Sequence, residues 1–195
     1  MFHNSSDYVD LSIFTTVKID LKYASLDNFM EEELYGDFKK AFLHKDAAVK
    51  FERAIGFLRR ERPGWSFVVF DALRPRSVQW EMWAKVKNTP QEKYIANPEQ
   101  GSPHNFGMAI DLSLVDEQEK KVDMGAGFDD FREISEPQFE ERFLKEGKLA
   151  AKQIENRLIL RRCMTGGGFL QLPYEWWHYN ALPEADIRKN YTIIE

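Results

Sequence analysis

The residue types with the clearest capacity for chemistry fall in two short stretches. The first is Ser102-Pro103-His104-Asn105-Phe106-Gly107-Met108-Ala109-Ile110-Asp111, and the second is Glu175-Trp176-Trp177-His178. They contain two of the four histidines in the chain, the others being His3 and His44. A catalytic zinc takes three protein ligands from His, Asp or Glu and leaves one position open for water. His104 lies in a turn-forming stretch and Asp111 in the strand that follows. A turn running into a strand can bring both side chains to one point, and Gly107 lets the backbone bend between them. The third ligand must come from elsewhere, and His178 is the candidate. Glu175, three residues earlier, would then lie beside the metal without binding it. From there it could take a proton from the attacking water. Taken singly, each group has a structural reading: a satisfied histidine, or a cap on a hairpin. Asp111 resists that reading most, because a buried carboxylate without a partner costs several kcal/mol. The four groups together favour a metal.

The elements that must position these residues are legible in outline. Asp46 to Arg60 carries Ala48, Phe51, Ile55 and Leu58 at helical spacing, and Pro63-Gly64 ends it. Trp65 to Phe70 is short, apolar and β-rich, hence a buried strand, and Asp71-Ala72-Leu73-Arg74-Pro75 starts the loop after it. Ser77 to Val86 reads as a short helix. Met108 to Leu114 alternates, with Ile110, Leu112 and Leu114 on one face and Ala109, Asp111 and Ser113 on the other. Pro137 to Gly147 and Leu149 to Met164 read as helices, with Gly166-Gly167-Gly168 ending the second. Phe169 to Leu172 and Glu175 to Tyr179 suggest a final hairpin. Helices and strands mix without βαβ alternation, so the expected class is α+β: a small antiparallel sheet flanked by helices, with the zinc site in a cleft. No repeat or linker divides residues 1–195, which are expected to form one domain.

Composition narrows the function classes. A net charge of −5 over 195 residues argues against a nucleic-acid partner, since phosphate neutralisation needs a basic face. No apolar run approaches the roughly 20 residues that span a bilayer, so no membrane partner is expected. Met1 to Asp10 is polar and lacks the basic-then-apolar order of a secretory signal. The single cysteine, Cys163, excludes an internal disulfide and reads as a core residue. The expected compartment is the cytoplasm.

The pattern Ser102-x-His104-x-x-Gly107-x-Ala109-x-Asp111, followed by Glu175-x-Trp177-His178, resembles the metallopeptidases that include the D-alanyl-D-alanine dipeptidases and carboxypeptidases. The VanX-type dipeptidases are the nearest likeness. Flanking segments carry it further: Asp20-Leu21-Lys22-Tyr23-Ala24 with Asn28-Phe29, Asp71 to Pro75, Asp123-Met124-Gly125-Ala126-Gly127-Phe128-Asp129, and Arg157 through Phe169. The likeness runs from about residue 17 to 182. It implies one zinc per chain on His104, Asp111 and His178, with Glu175 as the base. It further implies Arg74 as the group that stabilises the oxyanion, Asp129 and Tyr23 as holders of the substrate ammonium, and Ser102 as a contact to the substrate carboxylate or a cap on its turn. The implied substrate is a small D-amino-acid dipeptide, in peptidoglycan precursor or wall-fragment metabolism. Asn105, Phe106 and Met108 depart from the family's more polar set and are expected to alter the pocket wall. Two alternatives stay open. One is a peptidoglycan L,D- or D,D-carboxypeptidase or endopeptidase on the same zinc. The other is a non-catalytic zinc-binding domain, for which neither Glu175 nor Arg74 would be needed.

Overall fold

Apolar runs too short for a helix and bounded by turn residues become the strands, and the amphipathic stretches between them become the covering helices. A computed structural model describes residues 6–195, so His3 lies outside the described residues. In chain order the elements are β1 (Tyr8–Asp10), β2 (Lys18–Ile19), β3 (Phe42–His44), α1 (Lys45–Glu61), β4 (Ser66–Asp71), α2 (Arg76–Val86), β5 (Ala109–Val115), α3 (Glu140–Lys145), α4 (Ala151–Gly167), β6 (Leu170–Gln171), β7 (His178–Asn180) and α5 (Glu184–Asn190). The class is α+β, as the mixed pattern suggests.

The main sheet has five strands in the order β2-β4-β5-β7-β6. Every pair is antiparallel except β2 with β4, which is parallel. The sheet is thus antiparallel as expected, with one parallel pair added at its edge. A chain of two bonded residues carries no periodicity from which its direction could be read. β1 and β3 form a separate antiparallel pair.

β5 is buried along its whole length, and its two faces do different work. Ile110, Leu112 and Leu114 enter the hydrophobic core with Phe51, Phe67, Ile159 and Leu160, where α1 and α4 cover the sheet. Asp111 points the other way. The glycines after Met164 do not end α4 where the spacing suggests. Gly166 and Gly167 continue the helix, and Gly168 caps it in the left-handed region at φ 100. A Cβ on Gly167 would stand 2.6 Å from the Lys50 carbonyl oxygen, so the glycine is what lets α4 close onto α1. The final hairpin is also shorter than expected. Its strands are Leu170–Gln171 and His178–Asn180, and Glu175 lies in the turn before the second.

Candidate metal centre

Strand register assembles half of the site. Asp111 stands directly opposite His178 across β5 and β7, and opposite Asp71 across β4 and β5. Residues opposite one another in an antiparallel pair share a face, with their Cβ atoms about 4.5–5.5 Å apart. The row Asp71, Asp111, His178 therefore faces one side of the sheet. His104 joins it from a tight 3-10 turn, Pro103–Phe106. Ser102 caps that turn by accepting from the His104 N–H at 3.4 Å, while the Ser102 N–H donates to Asn105 Oδ1 at 2.7 Å. Gly107 closes it at φ 65, packed so tightly that a Cβ would meet the His44 nitrogen and the Tyr8 ring, each at 2.9 Å.

The donor atoms converge. His178 Nδ1 lies 2.9 Å from Asp111 Oδ1, His104 Nε2 lies 3.3 Å from the same oxygen, and the two imidazole nitrogens are 3.2 Å apart. The other nitrogen of each ring is already committed. His104 Nδ1 donates to the Ala72 carbonyl at 2.6 Å, and His178 Nε2 donates to Asn180 Oδ1 at 2.8 Å. With both protons placed there, the facing nitrogens present lone pairs. Asp111 Oδ1 is buried and has no hydrogen-bond donor. Three lone pairs aimed at one point repel unless a cation sits between them. Zinc–donor distances of about 2.0–2.2 Å in a tetrahedral site set donor–donor edges near 3.3 Å, which is the size of this triangle. The two outer hydrogen bonds fix each tautomer, as ligating histidines require. The donor set fits zinc.

Electrostatics around the triangle are those of a carboxylate-rich cavity. Burial opposes ionisation of Asp111, and the imidazoles of His104 and His178 pull it below the ordinary carboxylate range. Glu175 Oε2 lies 3.7 Å from His178 Nδ1, and its carboxylate is not among the three groups whose donor atoms converge. Burial pushes Glu175 up to about 8, and Asp111 and Asp129 add to the rise. Burial likewise pushes Asp129 up to about 7, again with help from Asp111. Its carboxylate accepts from the Tyr23 hydroxyl at 3.0 and 3.1 Å.

Arg74 is held from both sides. Its Nε and Nη2 donate to Asp71 Oδ2 at 2.8 and 2.5 Å, and its Nη1 donates to Gln79 Oε1 at 2.8 Å. Nη2 lies 3.8 Å from Asp111 Oδ2, and the guanidinium covers the Tyr23 ring at 5.0 Å. Gln79 is itself fixed by donating to the Ala96 carbonyl at 2.9 Å, and the Tyr35 hydroxyl donates to Asp71. Two carboxylates side by side on a sheet repel, so Arg74 also relieves Asp71 of that charge.

All eight residues singled out by the sequence line one small cavity: His104, Asp111, His178, Glu175, Arg74, Asp129, Tyr23 and Ser102. The expected influence of Asn105, Phe106 and Met108 on the pocket wall is corrected. None of them lines the cavity. Phe106 and Met108 are core, and Asn105 is a brace whose side chain donates to the Arg74 carbonyl at 2.9 Å. Sequence reasoning missed Asp71, Gln79, Tyr35 and Asn180. Asp71 and Asn180 carried a usable signal. Asp71 is a carboxylate closing an apolar strand, like Asp111, and Asn180 follows His178 by the two residues that return a strand to the same face.

Comparison with known proteins agrees with this geometry. A family model described as D-ala-D-ala dipeptidase, in the M15 group of peptidases, matches residues 4–194. The D-alanyl-D-alanine dipeptidase of Escherichia coli (strain K12) is 37% identical over 183 residues, covering 93% of this chain and 88% of its own. The protein of the same name from Enterococcus faecalis (strain V583) is 28% identical, covering 91% of this chain and 93% of its own. That from Synechocystis is 30% identical over 60% of each chain. With a family match over nearly the whole length and a relative aligned end to end, this chain belongs to the D-ala-D-ala dipeptidase family of M15 zinc peptidases.

Proposed function

We propose that the protein hydrolyses D-alanyl-D-alanine, or a similar small D-amino-acid dipeptide, with one zinc on His104, Asp111 and His178. The observation that carries this reading is the shared cavity. A metal triangle, an unliganded carboxylate, a fixed guanidinium and a second carboxylate at the far wall meet in about 80 Å³. Ordinary small-molecule sites run to roughly 300–1,000 Å³. A space so far below that range favours a small substrate over a wall polymer.

Each residue has a chemical task. Zinc in the triangle supplies Lewis acidity toward the scissile carbonyl and a lowered pKa for water. Glu175 takes the proton of the attacking water and returns it to the leaving amine. Burial and the neighbouring carboxylates of Asp111 and Asp129 make it a stronger base than an exposed carboxylate. Arg74, locked by Asp71 and Gln79, offers a preset positive charge where negative charge develops on the carbonyl oxygen. Asp129 pairs with the free ammonium of the dipeptide, and Tyr23 aims it. Ser102 shapes the wall and holds the turn of His104. One domain over residues 1–195 and a cytoplasmic setting complete the reading. The lone buried cysteine suits a reducing compartment, and no helix among the described residues is long and apolar enough to cross a membrane. Small D-alanine dipeptides place the reaction in peptidoglycan precursor or wall-fragment metabolism.

The test is alanine release by zinc-loaded protein from D-alanyl-D-alanine, its N-acetyl form and a wall pentapeptide, side by side. Acylation removes the charge that Asp129 would pair with, leaving a buried carboxylate unsatisfied. Rapid release from the free dipeptide alone is expected. Comparable rates on all three would instead make the protein a carboxypeptidase.

A further inference from the structure

The catalytic cavity is separated from a much larger surface hollow by two side chains. The hollow has a volume of about 500 Å³ and is lined by Pro90, Lys93, Ile134 and Phe143 among others. Only Tyr94 and Phe131 line both spaces. Their rings stack face to face, with centroids 5.1 Å apart and planes inclined by 14°. Neither residue belongs to the sheet. Tyr94 ends a short 3-10 turn, Glu92–Tyr94, in the connection between α2 and the His104 turn. Phe131 lies in the long connection between β5 and α3.

The partition is thin and lightly tethered. The Tyr94 hydroxyl donates to Glu136 Oε1 at 3.0 Å, and the Phe131 ring meets the edge of Phe29 at 5.0 Å. Both rings are only partly buried. The alternative wall is firmer. A second hollow, of about 940 Å³, shares only Asp129 with the catalytic cavity. There the side chain is held by Tyr23, whose ring is packed edge-on by Phe29 and Phe128. The Tyr94 and Phe131 side chains make no hydrogen bond or ring contact with the candidate ligands, with Glu175 or with Arg74. Movement at Asp129 would displace the group proposed to hold the substrate.

We propose that the stacked pair Tyr94–Phe131 is the specificity wall of the catalytic cavity, excluding any substrate extended beyond its amino end. The inference rests on the dipeptidase reading above. Phe131 follows Asp129 by two residues and lines the same cavity, and in this proposal a group attached to an amine held by Asp129 meets the stack. The exclusion of acylated substrates then has two separable causes. Asp129 selects for charge, while Tyr94 and Phe131 select against bulk. Removing either ring joins the cavity to a hollow with room for an acyl group or a further residue.

The experiment measures kcat/KM of zinc-loaded wild type, Tyr94→Ala, Phe131→Ala, the double variant and Tyr94→Phe on free and N-acetylated D-alanyl-D-alanine. Binding of an uncleavable N-acetylated phosphinate analogue is followed by calorimetry. Each alanine variant is expected to gain about tenfold or more on the acetylated substrate, the range set by one misfitting apolar group. The analogue should bind more tightly by a similar factor. Tyr94→Phe keeps the ring and should keep the preference. Asp129→Asn, by contrast, should lower the rate on the free dipeptide without raising that on the acetylated one. Zinc content and thermal unfolding verify each fold, and Tyr94→Leu and Phe131→Leu take the place of any alanine variant that fails this check. If wild type prefers the free dipeptide and the folded variants stay within about twofold of it on the acetylated one, the wall is refuted and the dipeptidase reading stands. If wild type cleaves both equally, both ideas fall.

Discussion

Asp129 is a residue whose replacement should stabilise the metal-free fold while harming the enzyme. Its backbone sits in the left-handed region at φ 58, where asparagine is among the better tolerated side chains. Burial, helped by Asp111, pushes its carboxyl from 3.8 to about 7. An acid with a raised folded-state pKa destabilises the fold as pH rises, because the native state keeps a proton that the unfolded chain has released. The cost begins near the unfolded pKa and is complete above about 7. About three pH units at ~1.4 kcal/mol each give a ceiling near 4 kcal/mol. The residue keeps some contact with solvent, so about 1–3 kcal/mol is the realistic range. Asp129→Asn keeps an oxygen to accept from Tyr23 and removes the charge. In a chain of this size, 2 kcal/mol corresponds to roughly 4–8 °C in the unfolding midpoint. The assay is thermal unfolding of metal-free wild type and variant from pH 4 to 8. The variant should gain stability progressively between pH 4 and 7 and hold that gain above. Zinc should narrow the difference, since its charge favours the Asp129 anion. A variant no more stable than wild type at pH 7.5, or a gain that does not change with pH, would refute this account of Asp129.

The remaining predictions separate metal binding from chemistry. His178→Ala removes one of three ligands, so zinc content by elemental analysis should fall from about one per chain toward zero. Undiminished zinc would remove His178 from the site. Glu175→Ala should retain zinc and lose about 10²–10⁴-fold in kcat, the usual share of a general base; near-normal turnover would assign the proton transfer elsewhere. Arg74→Ala should cost roughly 2.7–4 kcal/mol in transition-state stabilisation, seen in kcat more than in KM. A change confined to KM would make Arg74 a binding residue only.

Periodicity made α1 legible because its apolar face repeats over 17 residues against the sheet. It made β5 legible because alternation over seven residues is long enough to register. β1, β2 and β3 span only two or three residues each, too few for any period to show. Their pairing comes from tertiary context. The glycines of α4 misled because two of them serve close packing and only the third serves termination. At the site, the proposed ligands stood out because each is a chemically unusual residue in its setting: a carboxylate in an apolar strand, a histidine between turn residues. Gln79 was not, since a glutamine inside a helix looks like any solvated position until the fold buries it completely. The partition of Tyr94 and Phe131 was equally invisible, because aromatic residues in loops have no spacing to betray that they meet.

The site also explains why its surroundings are built as they are. β4, β5 and β7 bring Asp71, Asp111 and His178 abreast on one face, and such a row is unfavourable without cations. The chain supplies one cation permanently. Arg74 neutralises Asp71, and Gln79, Tyr35 and the Asn105 brace on its own carbonyl hold that pair in place. On the proposed zinc reading the second cation is the metal, since the orphaned oxygen of Asp111 and the two facing imidazole nitrogens point to one place. In that reading metal binding is coupled to the stability of the sheet's polar face, and the proposed ligands are preset before it arrives. In the proposed mechanism the same division serves catalysis. Arg74 is fixed by the fold and available from the outset to the developing negative charge, while Glu175 hangs in the turn ahead of β7, close to the ligands and free of them.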